Sequence, residues 1–126
     1  MRVLLVFKDS VAIERLAICC ISAALKKAGH QVRLVILGVT KTKKIHDTMV
    51  EFAPQIIGYS AMTGEHVALA ELNRELKKEF DFYTVFGGPH ATFCPEFIDE
   101  PGVDAICIGE GDVVFPEFCG RMENGG

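Results

Sequence analysis

Residues 84–92 read TVFGGPHAT: an apolar run ends on two adjacent glycines, Gly87 and Gly88, and a proline and a histidine follow. The run is typical of a buried strand, and the residues after it are typical of a loop. Glycine at this point has two explanations. Either it supplies the positive φ of a tight turn, or it leaves room for a ligand that lies against the backbone.

Four other short apolar runs accompany this one. The five are VLLVF (3–7), VRLVIL (32–37), QIIGYSA (55–61), FYTVFG (82–87) and DAICIG (104–109). They are rich in Val, Ile and Phe and mostly do not alternate with polar residues. Strands have this composition when helices cover both faces of a parallel sheet.

The segments between the runs have helical character. Helices are predicted at about 11–28, 44–52, 65–80, 95–99 and 112–121. A strict alternation of strands and helices with short connections indicates an α/β fold, a three-layer αβα sandwich with right-handed crossovers. We expect residues 1–126 to form one domain, because neither a repeat nor a linker divides the chain.

Composition narrows the class of protein further. The chain is 49% hydrophobic and 24% charged with a net charge of −4, which offers no electrostatic surface for nucleic acid or for an anionic membrane. The apolar run at 3–7 is too short for the core of a signal peptide. The five cysteines are odd in number and irregularly spaced, so no disulfide framework is expected. A cytoplasmic protein is predicted.

A ligand of an open parallel sheet binds beyond the carboxyl ends of the strands. The loops there are KDSVAIE (8–14), SAMTGEH (60–66), GGPHATF (87–93) and GEGD (109–112). None contains the G-x-G-x-x-G of dinucleotide folds or a P-loop. The first has one serine and no glycine, unlike a loop for the phosphate of FMN. A signalling receiver domain is disfavoured, because Ser60 stands near the place of its phosphoacceptor aspartate.

The loops resemble those of cobalamin (vitamin B12)-binding domains, which carry S-x-L after the third strand and G-G after the fourth. Ser60-Ala61-Met62 and Gly87-Gly88 stand at these places. The longer text GYSAMTGEH, VFGGPHATFCPE and VDAICIGEGD is similar to the N-terminal cobalamin-binding domain of B12-dependent radical S-adenosylmethionine enzymes. The resemblance covers nearly the whole chain.

This resemblance implies a flavodoxin-like (Rossmann-like) sheet of five parallel strands in the order 2-1-3-4-5. It implies that the nucleotide tail of cobalamin runs beside the sheet while the corrin lies over the carboxyl edge. No metal-ligating protein residue and no catalytic residue is expected in this domain. The cofactor-binding residues it implies are Asp9, Ser10, Ser60, Ala61, Met62, Thr63, Gly64, Gly87, Gly88, Pro89, His90, Glu110 and Gly111.

Met62 replaces the leucine of S-x-L, a minor departure between apolar residues of similar size. Two larger differences from the related families change the expectation. The better-known cobalamin domains carry D-x-H-x-x-G after the first strand, but Asp9 is followed by Ser10, Val11, Ala12 and Ile13. Cobalt without a histidine lower ligand is therefore expected. The C-x-x-x-C-x-x-C motif for a [4Fe–4S] cluster is also absent. The resemblance thus implies that the cluster, S-adenosylmethionine and catalysis belong to a downstream radical SAM domain, a partner outside this chain.

Several residues keep a second interpretation. Ser60 could cap the following helix, and Gly87 and Gly88 could form a plain turn. Glu110 could instead interact favourably with the helix dipole at the N-terminus of the last helix. His90 is expected beside the tail rather than beneath the corrin, while His30, His46 and His66 are expected on the surface. The alternative function is a degenerate module of the same fold that binds no cobalamin and acts as an interaction domain of its parent enzyme.

Overall fold

The computed structural model describes residues 1–8, 12–38, 41–60, 66–87, 95–107 and 111–123. Within these residues, five strands alternate with four α-helices and one 3-10 helix. The strands are β1 (Arg2–Lys8), β2 (Gln31–Leu37), β3 (Ile56–Ser60), β4 (Tyr83–Gly87) and β5 (Ala105–Ile106). The helices are α1 (Ala12–Lys27), α2 (Thr42–Phe52), α3 (His66–Lys77), the 3-10 helix (Pro95–Asp99) and α4 (Gly111–Glu123).

The strands form one parallel sheet in the order β2-β1-β3-β4-β5. This order confirms the predicted α/β architecture. β1, β3 and β4 lie in the interior of the sheet and form its central part. Their carboxyl ends are level, since Phe7 pairs with Ser60 and Ser60 with Gly87.

Each face of the sheet has its own apolar core. On one face α1 and α4 pack with β1, β3 and β4 around Leu5, Ile18 and Phe115. On the other face α2 and α3 contribute Met49 and Leu69 to a core with the same strands. Both faces of the central strands are therefore covered, as their continuous apolar sequences predicted.

Local sequence signals account for the ends of several elements. Gly29 follows α1 with a φ of 93°, the left-handed conformation that glycine adopts readily after a helix. Ala53 ends α2 with a φ of 49°, and Pro54 comes directly after it. Pro95 is the first residue of the 3-10 helix, the position predicted for it.

β5 is the exception, because only two residues form it although six were predicted. A network of polar side chains, buried at Asn73 and Thr84, nevertheless fixes it against β4. The amide of Asn73 in α3 donates to the carbonyl of Gly102 (2.9 Å) and accepts from the hydroxyl of Thr84 (2.8 Å). The Asp104 carboxylate accepts from Lys77 Nζ and from the backbone N–H of Thr84, both at 2.8 Å. The turn before β5 is thus tied to both α3 and β4.

The prediction that His30 lies on the surface is wrong. The residue is 6% exposed and sits between α1 and β2, where its Nδ1 accepts a hydrogen bond from the Met1 ammonium (3.0 Å). His46 is exposed as predicted, and His66 is half-buried with its ring against Phe97. Among the described parts of the chain, no helix is long and apolar enough to cross a membrane.

Candidate functional site

Three of the predicted cofactor-binding residues belong to the described structure. Ser60 ends β3, Gly87 ends β4, and Gly111 opens α4. The others follow strand ends in the sequence but lie outside the described residues: Asp9, Ser10, Ala61, Met62, Thr63, Gly64, Gly88, Pro89, His90 and Glu110. The geometry of the site is therefore given by the strand ends themselves.

Small side chains meet on the α1/α4 face of the carboxyl edge. Side chains two residues apart in a strand point to the same face. Ser60 therefore shares a face with Gly58, which faces Phe115, and Gly87 shares a face with Val85 of the α1/α4 core. Cys107, one residue beyond β5, lies beside Gly87 on this face. Three neighbouring strands thus end in a hydroxyl, a bare backbone and a thiol.

On the α2/α3 face, large side chains occupy the carboxyl ends of the same strands. Tyr59 pairs with Phe86, and Phe86 with Ile106, so one large side chain stands on each of the three strands. The rings of Tyr59 and Phe86 stack with centroids 4.6 Å apart, and Phe97 packs edge-on to Phe86 at 4.9 Å. A group that enters alongside these strands therefore finds small residues only on the α1/α4 face.

Neither backbone conformation nor packing within the described structure requires glycine at position 87. Its φ does not lie in the left-handed region, unlike those of Gly29, Gly38 and Gly102. A Cβ built on it would lie 3.6 Å from Cys107 Cβ and 3.8 Å from the Cys107 carbonyl oxygen, which are ordinary van der Waals contacts. Nothing in the described fold therefore requires glycine here, and its bare backbone is compatible with the close approach of a cofactor.

The described strand ends carry no formal charge on this face. Burial raises the pKa of the Cys107 thiol, so the thiol stays protonated at neutral pH. Ser60 is half-buried and offers a neutral hydroxyl as donor or acceptor. Among the residues that the structure describes, no cluster of His, Cys, Asp or Glu could hold a metal ion. Ser60, Gly87 and Cys107 therefore form a row of small residues that is suited to hydrogen bonding and van der Waals contact.

Two features of the site were not predicted from the sequence. The first is the contact of Gly58 with Phe115: a Cβ on Gly58 would lie only 2.9 Å from Phe115 Cε2. An isolated glycine within an apolar strand was the signal for a close approach, but not for its partner. The second is the Tyr59 hydroxyl, which is buried and has no hydrogen-bond partner within the described structure. Its burial raises the pKa of the phenol far above the usual value.

The comparison with protein families identifies the family of the chain. The model of the B12 binding domain matches residues 3–119, which include β2 to β5, all of β1 except Arg2, and most of α4. The chain belongs to the B12 binding domain family. Cobalamin is therefore the ligand of this B12 domain, and its site is expected at the carboxyl edge, as the sequence resemblance implied.

Two relatives of the B12 domain carry the names of methyltransferases. An uncharacterised methyltransferase of Pyrococcus horikoshii is 28% identical over 111 residues, which cover 82% of this chain and 24% of that protein. The cytidylyl-2-hydroxyethylphosphonate methyltransferase of Streptomyces wedmorensis is 33% identical over 73 residues, or 53% of this chain and 13% of that protein. The chain thus spans a quarter or less of the length of these relatives.

Solved structures agree on the fold. A cobalamin-binding protein from Desulfitobacterium hafniense has a TM-score of 0.75 at 20% identity and aligns with 95% of this chain and 58% of its own. The monomethylamine corrinoid protein of Methanosarcina barkeri has a TM-score of 0.68 at 20% identity, covering 93% of this chain and 57% of its own. The pseudo-receiver domain of CikA has a TM-score of 0.55 at 14% identity, and the alignment covers 94% of this chain and 95% of that domain's chain. The fold is therefore shared with receiver-like domains.

Proposed function

We propose that this B12 domain is the cofactor-binding part of a B12-dependent radical S-adenosylmethionine enzyme of the methyltransferase type. Its [4Fe–4S] cluster and S-adenosylmethionine would be held by a downstream partner domain. The names of the two methyltransferase relatives and their greater length support this proposal. The sequence from GYSAMTGEH to GEGD supports the radical enzyme class by resemblance. A cytoplasmic enzyme follows from the same proposal.

The observation that carries the site assignment is Gly87. Neither its backbone conformation nor its neighbours require glycine, yet it lies in register with Ser60 at the edge where the ligand of such a sheet binds. We assign the nucleotide tail of cobalamin to the α1/α4 face beside Ser60, Gly87 and Cys107. Ser60 would donate or accept one hydrogen bond there, and Gly87 would let the tail lie against the backbone.

The cobalt would have no histidine from the β1–α1 segment as lower ligand, because Asp9 is followed by Ser10 and Val11. Bound cobalamin supplies the chemistry of methyl transfer through its cobalt. The chain's own residues would only hold and orient the cofactor. His90, in the loop at 87–93, is the imidazole that would overturn this expectation if it bound the metal.

A binding experiment tests this proposal. Purified protein mixed with hydroxocobalamin should keep the red colour after desalting, and titration should give a dissociation constant well below about 1 mM. Failure to bind would favour the interaction-module alternative. The EPR spectrum of the reduced, cobalt(II) form should lack the triplet splitting that a nitrogen ligand causes. Triplets that disappear in His90→Ala would instead identify His90 as the lower ligand.

A further inference from the structure

Phe115 lies directly beneath the row of small residues. The next row of this face consists of Leu5, Gly58, Val85 and Ala105, which are paired across β1, β3, β4 and β5. The Phe115 ring covers Gly58 so closely that a Cβ there would lie 2.9 Å from Cε2 and 3.0 Å from Cζ. The ring itself is 5% exposed. It therefore rests on the bare backbone of β3.

The position of this ring limits how far a group can enter along β3. Gly58 is two residues before Ser60, a distance of about 6.6 Å along a parallel strand. Val85, beside Gly58, and Leu5 on the other side are buried in the same core. A tail that passes Ser60 and Gly87 would thus meet Phe115 one row further down.

We infer that Phe115 is the floor of the tail site and selects among corrinoids by the size of their lower base. This inference rests on the proposed placement of the tail on the α1/α4 face. The two methyl groups of dimethylbenzimidazole lie at the end of the base farthest from the ribose. They are therefore the part of cobalamin that would contact the ring. Phe115 acts by direct contact with the base. Gly58 acts indirectly, because the absence of a Cβ lets the Phe115 ring lie close to the backbone of β3.

The experiment measures dissociation constants for three probes. Hydroxocobalamin carries dimethylbenzimidazole, a second corrinoid carries benzimidazole without the two methyl groups, and cobinamide lacks the lower nucleotide. The variants are Phe115→Ala and the milder Phe115→Leu. Phe82→Ala is the matched control, because Phe82 is similarly buried (7% exposed, against 5%) but belongs to the core of the opposite face.

The expected result is a change of preference. The ratio of the two affinities should shift towards the larger base, by about tenfold in Phe115→Ala and by less in Phe115→Leu, because removing the ring opens space below the base in which the two methyl groups can be buried. The affinity for cobinamide should stay unchanged, and Phe82→Ala should leave the ratio as in the unsubstituted protein. If Phe115→Ala does not fold, Phe115→Leu carries the test, because it conserves most of the apolar volume.

The possible failures are distinguishable. Protein that binds none of the three probes contradicts the proposed function itself. Protein that binds cobinamide as tightly as hydroxocobalamin places the tail outside the sheet; this result overturns the inference and the tail placement on which it rests, but leaves cobalamin binding intact. An unchanged ratio in the Phe115 variants, with binding retained, also overturns it.

Discussion

Gly87 and Cys107 lie side by side at the carboxyl ends of neighbouring strands, and 3.6 Å would separate the Cys107 Cβ from a Cβ built on Gly87. There is room for a methyl group at this point in the described structure. The described fold therefore does not require glycine at this position, which supports the proposal that the cofactor lies against it. This reasoning makes the substitution of Gly87 the most informative test of the site.

Gly87→Ala should leave the domain folded and impair cobalamin binding. Alanine restricts the unfolded chain and adopts the strand conformation without strain, so the free energy of unfolding should be unchanged or rise by about 0.4–1 kcal/mol. The added methyl group should lower the affinity for hydroxocobalamin at least about tenfold, or about 1.4 kcal/mol. Urea unfolding and a spectrophotometric titration measure the two quantities. An affinity equal to that of the unsubstituted protein would place the tail elsewhere.

Gly58→Ala is the complementary variant, because here the fold itself needs the glycine. The new Cβ would lie 2.9 Å from the Phe115 ring and 3.2 Å from Leu5 Cδ2. Overpacking of this kind costs about 1–3 kcal/mol. Combining Gly58→Ala with Phe115→Leu should recover part of the loss, and a double-mutant cycle by urea unfolding measures the coupling. Additive losses would mean that the cost of Gly58→Ala does not come from the Phe115 ring.

Asn73 should prove essential to the stability of the β4–β5 edge. It is fully buried, and Asn73→Ala would leave the Thr84 hydroxyl and the Gly102 carbonyl without their partner. A loss of about 2–3 kcal/mol is expected, since each buried polar group left unpaired is costly. Thr84→Val removes only one of the two bonds and serves as the comparison. Equal losses in the two variants would contradict the role of the Gly102 contact.

Tyr59→Phe should stabilise the protein or leave its stability unchanged. The hydroxyl is buried without a partner in the described structure, and an unpaired buried hydroxyl costs about 1–3 kcal/mol. Phenylalanine keeps the stacking on Phe86. Binding of hydroxocobalamin should not change, because Tyr59 lies on the α2/α3 face. A loss of stability in urea unfolding would indicate that the hydroxyl has a partner after all.

The sequence was sufficient for the architecture because hydrophobic burial determines it. The runs at 3–7 and 32–37 became β1 and β2, and the segment at 11–28 became α1 within a residue at each end. Contacts between residues distant in sequence could not be predicted from these local apolar patterns. Asn73 lies on the apolar stripe of α3, and only its partners Thr84 and Gly102, distant in sequence, make a polar residue acceptable there.

For the candidate site, the structure bears on the strand ends and not on the role of the predicted residues. Ser60 and Gly87 are the last residues of two neighbouring parallel strands that end at the same level of the sheet. Their pairing could therefore be predicted from the sequence pattern. The Phe115–Gly58 contact depends on how α4 crosses the sheet, which no local pattern encodes. The short β5 also differs from prediction: its apolar sequence continues, but the described pairing with β4 stops at Ile106.

His30 should make the protein sensitive to acid. Burial lowers the pKa of His30, and the Met1 ammonium lowers it further, while the Glu123 carboxylate opposes them. A folded-state pKa below the unfolded value means that the unfolded chain takes up a proton that the folded chain does not. The stability from neutral His30 is therefore present above about pH 6.5 and declines as the pH falls below it.

His30→Gln should reduce this decline, because glutamine offers an acceptor to the Met1 ammonium but does not titrate. Urea unfolding at a series of pH values from 8 down to 5 (roughly the range in which histidine titrates) measures the effect. His46→Gln is the matched control, since His46 is exposed and contacts Glu79 at 2.9 Å on the surface. Identical pH profiles for the unsubstituted protein and His30→Gln would show that His30 is not responsible for the loss in acid.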